Sequence, residues 1–248
     1  MEYIKVFIED IIMAEHIHTI LVMDALREPG NCAFCAMYDK LESNSIQFIM
    51  GPAYMEDDVR MATDKVGFCN RHLALMYKEQ NRLGLGLMLH SHIKKIVNDM
   101  DKIIKSPISG SFFKKEQSNS LGKMGAYLKG INESCYICEK IEGTFNRYID
   151  TFLYLYNKDT PETKTQKTYC LPHFIRLLEL ASQMSKSKRD KFTDDILKPI
   201  LKTISELEGD LDWFVSKFDH RNANEPWKNS KDALPRALSL LCGKLENV

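Results

Sequence analysis

The sequence predicts an all-α protein made of two pseudo-repeated helical halves. Along most of the chain apolar residues recur at steps of three to five, whereas the strict alternation that indicates strands is almost absent. A set of cysteine and histidine motifs occurs twice in the same order, and the apolar pattern around the first copy is repeated around the second. Helical periodicity and internal repetition therefore define the predicted fold class.

The repeated motifs are a CxxC pair followed at a distance by a CxxH pair. The two sets are Cys32, Cys35, Cys69 and His72, and then Cys135, Cys138, Cys170 and His173. Cys135 lies 103 residues after Cys32, and the same offset pairs Ile46 with Ile149 and Ile49 with Phe152. A duplicated unit of helix, return segment and helix is the simplest account of this match.

Each set has the composition of a metal site. The two sulfurs of a CxxC pair can converge on one ion, and a CxxH pair places both ligands on one face at the start of a helix. Three thiolates and one imidazole complete a tetrahedron, which is typical of structural zinc. We predict one zinc ion in each half, bound by the four ligands of that half. An iron–sulfur cluster is the alternative, because three cysteines and a histidine can also ligate one.

Most elements of the first half are predicted from apolar periodicity and from glycine and proline at their ends. The β-branched residues of 18–23 favour an extended segment. The predicted helices are 2–13, 35–50, 55–65, and a long helix from 69 to 103 with an interruption at 83–86.

Residues 106–125 are rich in serine, lysine and glycine, and they predict a linker between a first repeat at 1–105 and a second at 126–248. The end of the chain has no counterpart in the first half. A helix at 192–218 with a kink at Pro199, a polar loop at 222–230 and a last helix capped by Asp232 are expected there.

Composition narrows the function classes. Lys+Arg and Asp+Glu are both 34, so the chain lacks the net positive charge of a nucleic-acid binder, and no nucleic-acid partner is expected. No secretion signal and no apolar stretch of membrane-spanning length is visible, which predicts a cytoplasmic protein without a membrane partner. In a reducing compartment, clustered cysteines favour metal binding over disulfides.

A second candidate site lies near the C-terminus. An acid, a possible proton shuttle, a guanidinium and an indole are concentrated beside a turn, as in a polar binding surface. These residues are Asp219, His220, Arg221, Glu225 and Trp227. A capped helix end with locally paired charges is the alternative interpretation.

The chain resembles a family of uncharacterised bacterial proteins, found mainly in Firmicutes and classed as a domain of unknown function. The residues that carry the resemblance are Cys32/Cys35, Met55 to Arg60, Gly67 to His72, Cys135/Cys138, Tyr169 to Phe174, and Asp212 to Ala233. Family members often have proline after the first cysteine, where this chain has Ala33. The resemblance implies the same metal motifs and no particular reaction.

The predicted function is therefore a zinc-binding helical module with an unknown protein or small-molecule partner. The alternative is a redox or metal-dependent enzyme, with either an iron–sulfur cluster or a site around Asp219, His220 and Arg221. Four protein ligands per metal favour the module over the enzyme.

Overall fold

The computed structural model describes residues 18–28, 32–105, 120–165 and 168–243. Within these ranges the regular structure is helical and no strand occurs, so the all-α class is confirmed. None of the described helices combines the length and the apolar character that a membrane span requires.

Twelve helices in the described part of the chain are numbered in order. They are α1 (residues 18–27), α2 (Ala33–Met50), α3 (Asp57–Val66), α4 (Asn70–Lys78), α5 (Arg82–Lys105), α6 (Ser120–Glu133), α7 (Tyr136–Asn157), α8 (Glu162–Thr165), α9 (Leu171–Ala181), α10 (Lys186–Phe192), α11 (Lys198–Ser216) and α12 (Ala233–Cys242). Short 3₁₀ turns occupy Pro52–Met55 and His220–Asn222, and a π-helical turn, Thr193–Leu197, joins α10 to α11.

The chain forms two compact units. Unit 1 comprises residues 1–39 and 145–248, and unit 2 comprises residues 40–144. Unit 1 therefore contains the start of α2 and the end of α7, whereas unit 2 contains the end of α2 and the start of α7. Neither boundary falls in the predicted linker. Residues 106–119 lie outside the described ranges, and the last six residues of that linker belong to α6.

The core of unit 1 is aromatic. Phe34 at the start of α2 lies 6.1 Å from Phe145 and 5.4 Å from Phe152 of α7, measured between ring centroids. The ring of Tyr169, just before α9, stacks on Phe34 at 5.5 Å. All four side chains are fully buried, and aromatic pairs of this kind each contribute roughly 0.5–1.5 kcal/mol beyond their buried area. This cluster fixes the starts of α2 and α9 against the end of α7.

The core of unit 2 is aliphatic and sulfur-containing. Its fully buried side chains come from α2, α4, α5 and α7, and they are Ile49, Met76, Met88, Ile137 and Ile141. Helix α3 packs against α5 and against the 3₁₀ turn that follows α2. The helix predicted at 35–50 and the connecting helix predicted at 55–65 are confirmed as α2 and α3.

The extended segment predicted at 18–23 is wrong, because residues 18–27 form α1. Val22, Ala25 and Leu26 are buried at steps of three and four, so one face of a helix enters the core. Burial of this face overrides the weak preference of β-branched residues for strands. The helix predicted at 2–13 lies outside the described residues.

The interruption of the long helix lies at 79–81, before the predicted position of 83–86. Gln80 has a positive φ of 62°, and the side chain of Asn81 accepts a hydrogen bond of 2.9 Å from the Gly84 amide, which caps the start of α5. The glycines that suggested the interruption lie inside α5. Gly84 is packed so closely that a Cβ there would lie 2.9 Å from the Tyr54 ring. Close packing, and not a chain break, explains this glycine.

Pro199 stands in the first turn of α11, directly after the π-helical turn. Proline lacks the amide that would complete the preceding helical turn, and its ring clashes with the carbonyl four residues earlier. A wider π turn relieves that clash while the helix continues. The irregularity predicted at Pro199 thus takes the form of this π turn.

Candidate metal centres

The eight predicted ligands form two clusters in which the ligand atoms all lie within 4.8 Å of one another. Site 1, in unit 1, consists of Cys32, Cys35, Cys170 and His173. Site 2, in unit 2, consists of Cys69, His72, Cys135 and Cys138. The six cysteines are free thiols.

This grouping corrects the predicted one. Each site takes its CxxC pair from one predicted half and its CxxH pair from the other. The point at which the chain returns to α2 explains this grouping. Helix α2 continues for 15 residues beyond Cys35, about 22 Å, and His72 contacts it at Glu42, seven residues after Cys35. The chain therefore returns to the middle of α2 and not to its start, where Cys32 and Cys35 lie.

The same argument applies to the second CxxC pair. Helix α7 extends 19 residues, about 28 Å, beyond Cys138, and the ring of His173 contacts it at Phe145, seven residues after Cys138. Cys170 and His173 lie in unit 1, which also contains the end of α7. At each site the CxxH pair returns to the middle of one long helix, and the CxxC pair that starts the other long helix completes the set.

Both sites lie at helix N-termini. Cys69 is the N-cap residue of α4 and Cys170 is the N-cap residue of α9, each with extended backbone angles. Their histidine partners are the third residues of these helices. The carbonyl of Cys32 accepts the Cys35 amide at 3.0 Å as α2 begins. Four ligands thus join two helix starts at each site, where unpaired amides and the helix dipoles stabilise negative charge.

The distances in site 1 fit one ion. Cys35 Sγ lies 3.5 Å from Cys170 Sγ and 3.5 Å from His173 Nδ1, and Cys170 Sγ lies 3.2 Å from the same nitrogen. Cys32 Sγ is 3.8 Å from His173 Nδ1. Zinc bond lengths place two sulfurs of a tetrahedron about 3.8 Å apart and a sulfur and nitrogen about 3.5 Å apart. Site 1 therefore has the dimensions of a tetrahedral metal site.

Site 2 has the same dimensions. His72 Nδ1 lies 3.2 Å from Cys135 Sγ, 3.3 Å from Cys69 Sγ and 3.4 Å from Cys138 Sγ. The sulfurs of Cys69 and Cys138 are 3.9 Å apart. The Nδ1 atom of His72 thus faces all three sulfurs at once.

A carboxylate supports the histidine of site 2. His72 Nε2 lies 3.0 Å from Glu42 Oε1, and the second oxygen of Glu42 accepts a hydrogen bond of 2.9 Å from Arg71. Glu42 is only 9% exposed. Sequence reasoning missed this residue, although a signal was present. Glu42 stands between Tyr38 and Ile46 at steps of four on the apolar face of α2, where a charged side chain requires a partner.

Aromatic rings and a glycine surround site 1. The His173 ring lies 4.9 Å from Phe145 and 6.0 Å from Tyr38, measured between centroids. Gly243, which ends α12 with a φ of +77°, lies against the thiols, and a Cβ there would be 3.2 Å from Cys35 Sγ and 3.4 Å from Cys170 Sγ. The backbone angle favours glycine, and a Cβ there would press on both thiols. The end of α12 thus closes one side of site 1.

The metal-free thiols cannot all ionise together. Hydrogen bonds from Cys170 and then Cys35 lower the pKa of Cys32, whereas the hydrogen bond with Cys170 raises the pKa of Cys35. Burial raises the pKa of Cys138 to about 12. Burial alone would lower the pKa of His173, but hydrogen bonds to the thiols raise it to about 9. A cation is needed before each set can become three thiolates and a neutral imidazole.

The C-terminal candidate surface is open to solvent. The side chains of His220 and Arg221 are 93% and 78% exposed. Both contact the carboxylate of Asp219, with Arg221 Nη2 at 2.6 Å and His220 Nδ1 at 3.3 Å. Because these groups pair with one another in solvent, no residue that the structure describes encloses a reacting molecule at this surface.

A buried lysine organises the neighbouring loop. Lys217 is 7% exposed, and its Nζ donates to three backbone carbonyls within 2.9 Å, those of Asn222, Ala223 and Glu225. The same ammonium lies 5.3 Å from the centre of the Trp227 ring. Trp227 therefore packs within the loop, and of Glu225 only the backbone takes part in these contacts.

Comparison with known proteins yields one match. No curated protein and no solved structure matches the chain significantly. Residues 13–248 match a family described only as a family of unknown function, and this range includes all eight ligands of the two sites. The resemblance inferred from the motifs is confirmed at this level, and the chain belongs to the family of unknown function DUF6062.

Proposed function

We propose that the protein binds two zinc ions, one at each site, and acts as a helical interaction module stabilised by them. The observation that carries this proposal is the convergence of eight ligands, distant in sequence, into two sets with tetrahedral spacing. Three sulfurs and one nitrogen are a typical ligand set of structural zinc sites in proteins.

The spacing favours a single ion over an iron–sulfur cluster. In a [4Fe–4S] cluster each ligand binds a different iron, so the ligand atoms lie on opposite sides of a multi-atom core. Here all four ligand atoms at each site are within 4.8 Å of one another, which leaves space for one ion at the centre. This compactness supports zinc.

Burial supports a structural role for the ions. The side chains of His72, Cys135 and Cys170 are between 1% and 4% exposed, and four protein ligands leave no open coordination position for a substrate. A structural zinc site supplies about 10–16 kcal/mol of apparent binding free energy at neutral pH. This is comparable to the whole stability of a typical domain, about 5–15 kcal/mol.

We place the interaction surface of the module around residues 215–221. Val215 and Phe218 are 68% and 76% exposed, and the exposed side chains of His220 and Arg221 follow within a few residues of the chain. Exposed aromatic and arginine side chains in one surface are typical of protein interfaces, so a protein partner in the cytoplasm fits better than a small molecule.

Metal analysis of anaerobically purified protein tests the zinc proposal. We expect two zinc ions per chain, a colourless solution, and loss of helical circular dichroism when a strong chelator removes the metal. Bound iron with visible absorption would favour the cluster instead. Well under one zinc per site, together with unchanged helicity after chelation, would rule out the structural role.

A further inference from the structure

The two sites differ in the groups that hold their histidines. In site 2 the imidazole of His72 is held at both nitrogens, since Nδ1 faces the sulfurs and Nε2 lies 3.0 Å from the buried carboxylate of Glu42. Arg71 holds the other oxygen of that carboxylate at 2.9 Å. The ring, the carboxylate and the guanidinium form a continuous chain of contacts.

Site 1 lacks both charged groups. The offset of 103 residues that relates the CxxC pairs places Phe145 opposite Glu42, and the offset of 101 residues between the histidines places Pro172 opposite Arg71. The Phe145 ring does contact His173, at 4.9 Å between centroids. Among the described residues no carboxylate contacts His173, so aromatic packing takes the place of the hydrogen bond.

This difference changes the strength of metal binding. A metal-bound histidine that donates its second N–H to a carboxylate is a more basic ligand with a fixed ring orientation. Loss of such a partner typically lowers metal affinity by about 10- to 100-fold. Burial of the ligands does not separate the sites, since each has two buried and two half-buried ligands, so the difference between them is the carboxylate partner of His72.

We propose that Glu42 is a positioning residue of site 2, and that site 2 therefore retains its ion while site 1 is the exchangeable site. This inference rests on the proposed binding of zinc at both sites. Site 2 holds its zinc about 10- to 100-fold more tightly than site 1, and zinc leaves the protein in two steps. The difference in zinc affinity follows from one position of the repeated pattern, which is Glu42 in the first copy and Phe145 in the second.

The order of release in the unaltered full-length protein is the first test. Protein labelled with ¹⁵N-histidine and loaded with zinc is titrated with a chelator of graded affinity, and the signals of the two metal-bound histidines are followed by NMR. We expect the His173 signals to reach half-change at about 10- to 100-fold lower chelator strength than those of His72. A slowly exchanging Nε2–H signal from His72 is the expected mark of its bond to Glu42.

The substitution Glu42→Gln is the second test, with Glu79→Gln as the matched control. Glu79 lies in the same unit at the exposed end of α4 and is not part of either site. We expect Glu42→Gln to weaken site 2 by about 10- to 100-fold, to leave site 1 unchanged and to shift the His72 Nε2–H signal. Glu79→Gln should leave both steps of release as they are.

The outcomes separate this inference from the proposed function. Protein that binds two zinc ions but releases them in one step, or releases site 2 first, overturns the inference and leaves the zinc proposal standing. Unchanged release from a folded Glu42→Gln variant also overturns it. Protein that binds no zinc defeats both proposals. If Glu42→Gln does not fold, the order of release in the unaltered protein decides alone.

Discussion

Replacing two cysteines by serine distinguishes the observed ligand grouping from the grouping that the sequence order suggests. In the structure Cys32 and Cys170 belong to site 1, whereas Cys69 belongs to site 2. The double variant Cys32→Ser/Cys170→Ser should therefore lose one zinc ion and keep the other. The double variant Cys32→Ser/Cys69→Ser should lose both. Grouping in sequence order predicts the reverse result for each pair.

The size of the effect follows from the chain that each ion bridges. The contact between Cys35 and Cys170 spans 135 residues, and the contact between Cys69 and Cys138 spans 69 residues. If each ion is treated as a cross-link, it lowers the conformational entropy of the unfolded chain. The resulting stabilisation of the folded state is about 5 kcal/mol for the first bridge and about 4 kcal/mol for the second. Loss of either bridge should thus lower the free energy of unfolding by several kcal/mol, but a second serine at the same site should add little, because the ion is already lost.

Zinc content by mass spectrometry under native conditions is the assay, with urea denaturation as the measure of stability. Cys242→Ser is the matched control, since Cys242 is an exposed free thiol outside both clusters, and it should keep two ions. The reasoning would be refuted if Cys32→Ser/Cys170→Ser protein contained no zinc while Cys32→Ser/Cys69→Ser protein kept one ion.

Three further substitutions or measurements test the surroundings of the sites. Gly243→Ala should lower the free energy of unfolding by about 1–3 kcal/mol and weaken metal retention at site 1, because Gly243 has a positive φ and lies against two thiols. The control Gly209→Ala lies in open space and should stabilise α11 by about 0.5–1 kcal/mol. Denaturation curves that shift equally for the two variants would contradict this reasoning. Burial would lower the pKa of His173, but hydrogen bonds with the thiols outweigh it and hold the pKa at about 9 in the protein without metal. Zinc binding at pH 7 should therefore release protons. The apparent zinc affinity should then fall as pH falls, by up to about tenfold per pH unit for each proton released. Calorimetry in two buffers of different ionisation enthalpy counts these protons, and a count of zero would be inconsistent with the geometry. Lys217→Met should lower the free energy of unfolding by about 2–4 kcal/mol, because three loop carbonyls lose their hydrogen-bond donor. The control Lys202→Met, at an exposed position, should change it by less than about 0.5 kcal/mol. Equal unfolding midpoints for the two variants would show that the loop does not depend on Lys217.

Sequence alone determined which residues could bind metal and what kind of elements carry them. The spacing of a CxxC or CxxH pair is local, so three residues along the chain suffice to place two ligands together. The bounds of α2 follow from apolar periodicity and from Gly51-Pro52 at its end. Local signals failed where burial outweighed them, as in α1, where Val22, Ala25 and Leu26 form one buried face of a helix although the segment is rich in β-branched residues.

Only the tertiary structure decided which pairs share an ion. Sequence order favours the nearest CxxH pair, but each CxxH pair returns to the middle of the preceding long helix, at Glu42 of α2 or at Phe145 of α7. Cys69 therefore joins Cys138, and Cys170 joins Cys32. The same holds for Glu42 and Gly243, which have no metal motif of their own and reach the ligands only through packing. Ligand chemistry is set by neighbours along the chain, whereas the composition of each site is set by the lengths and directions of the helices that bring distant neighbours together.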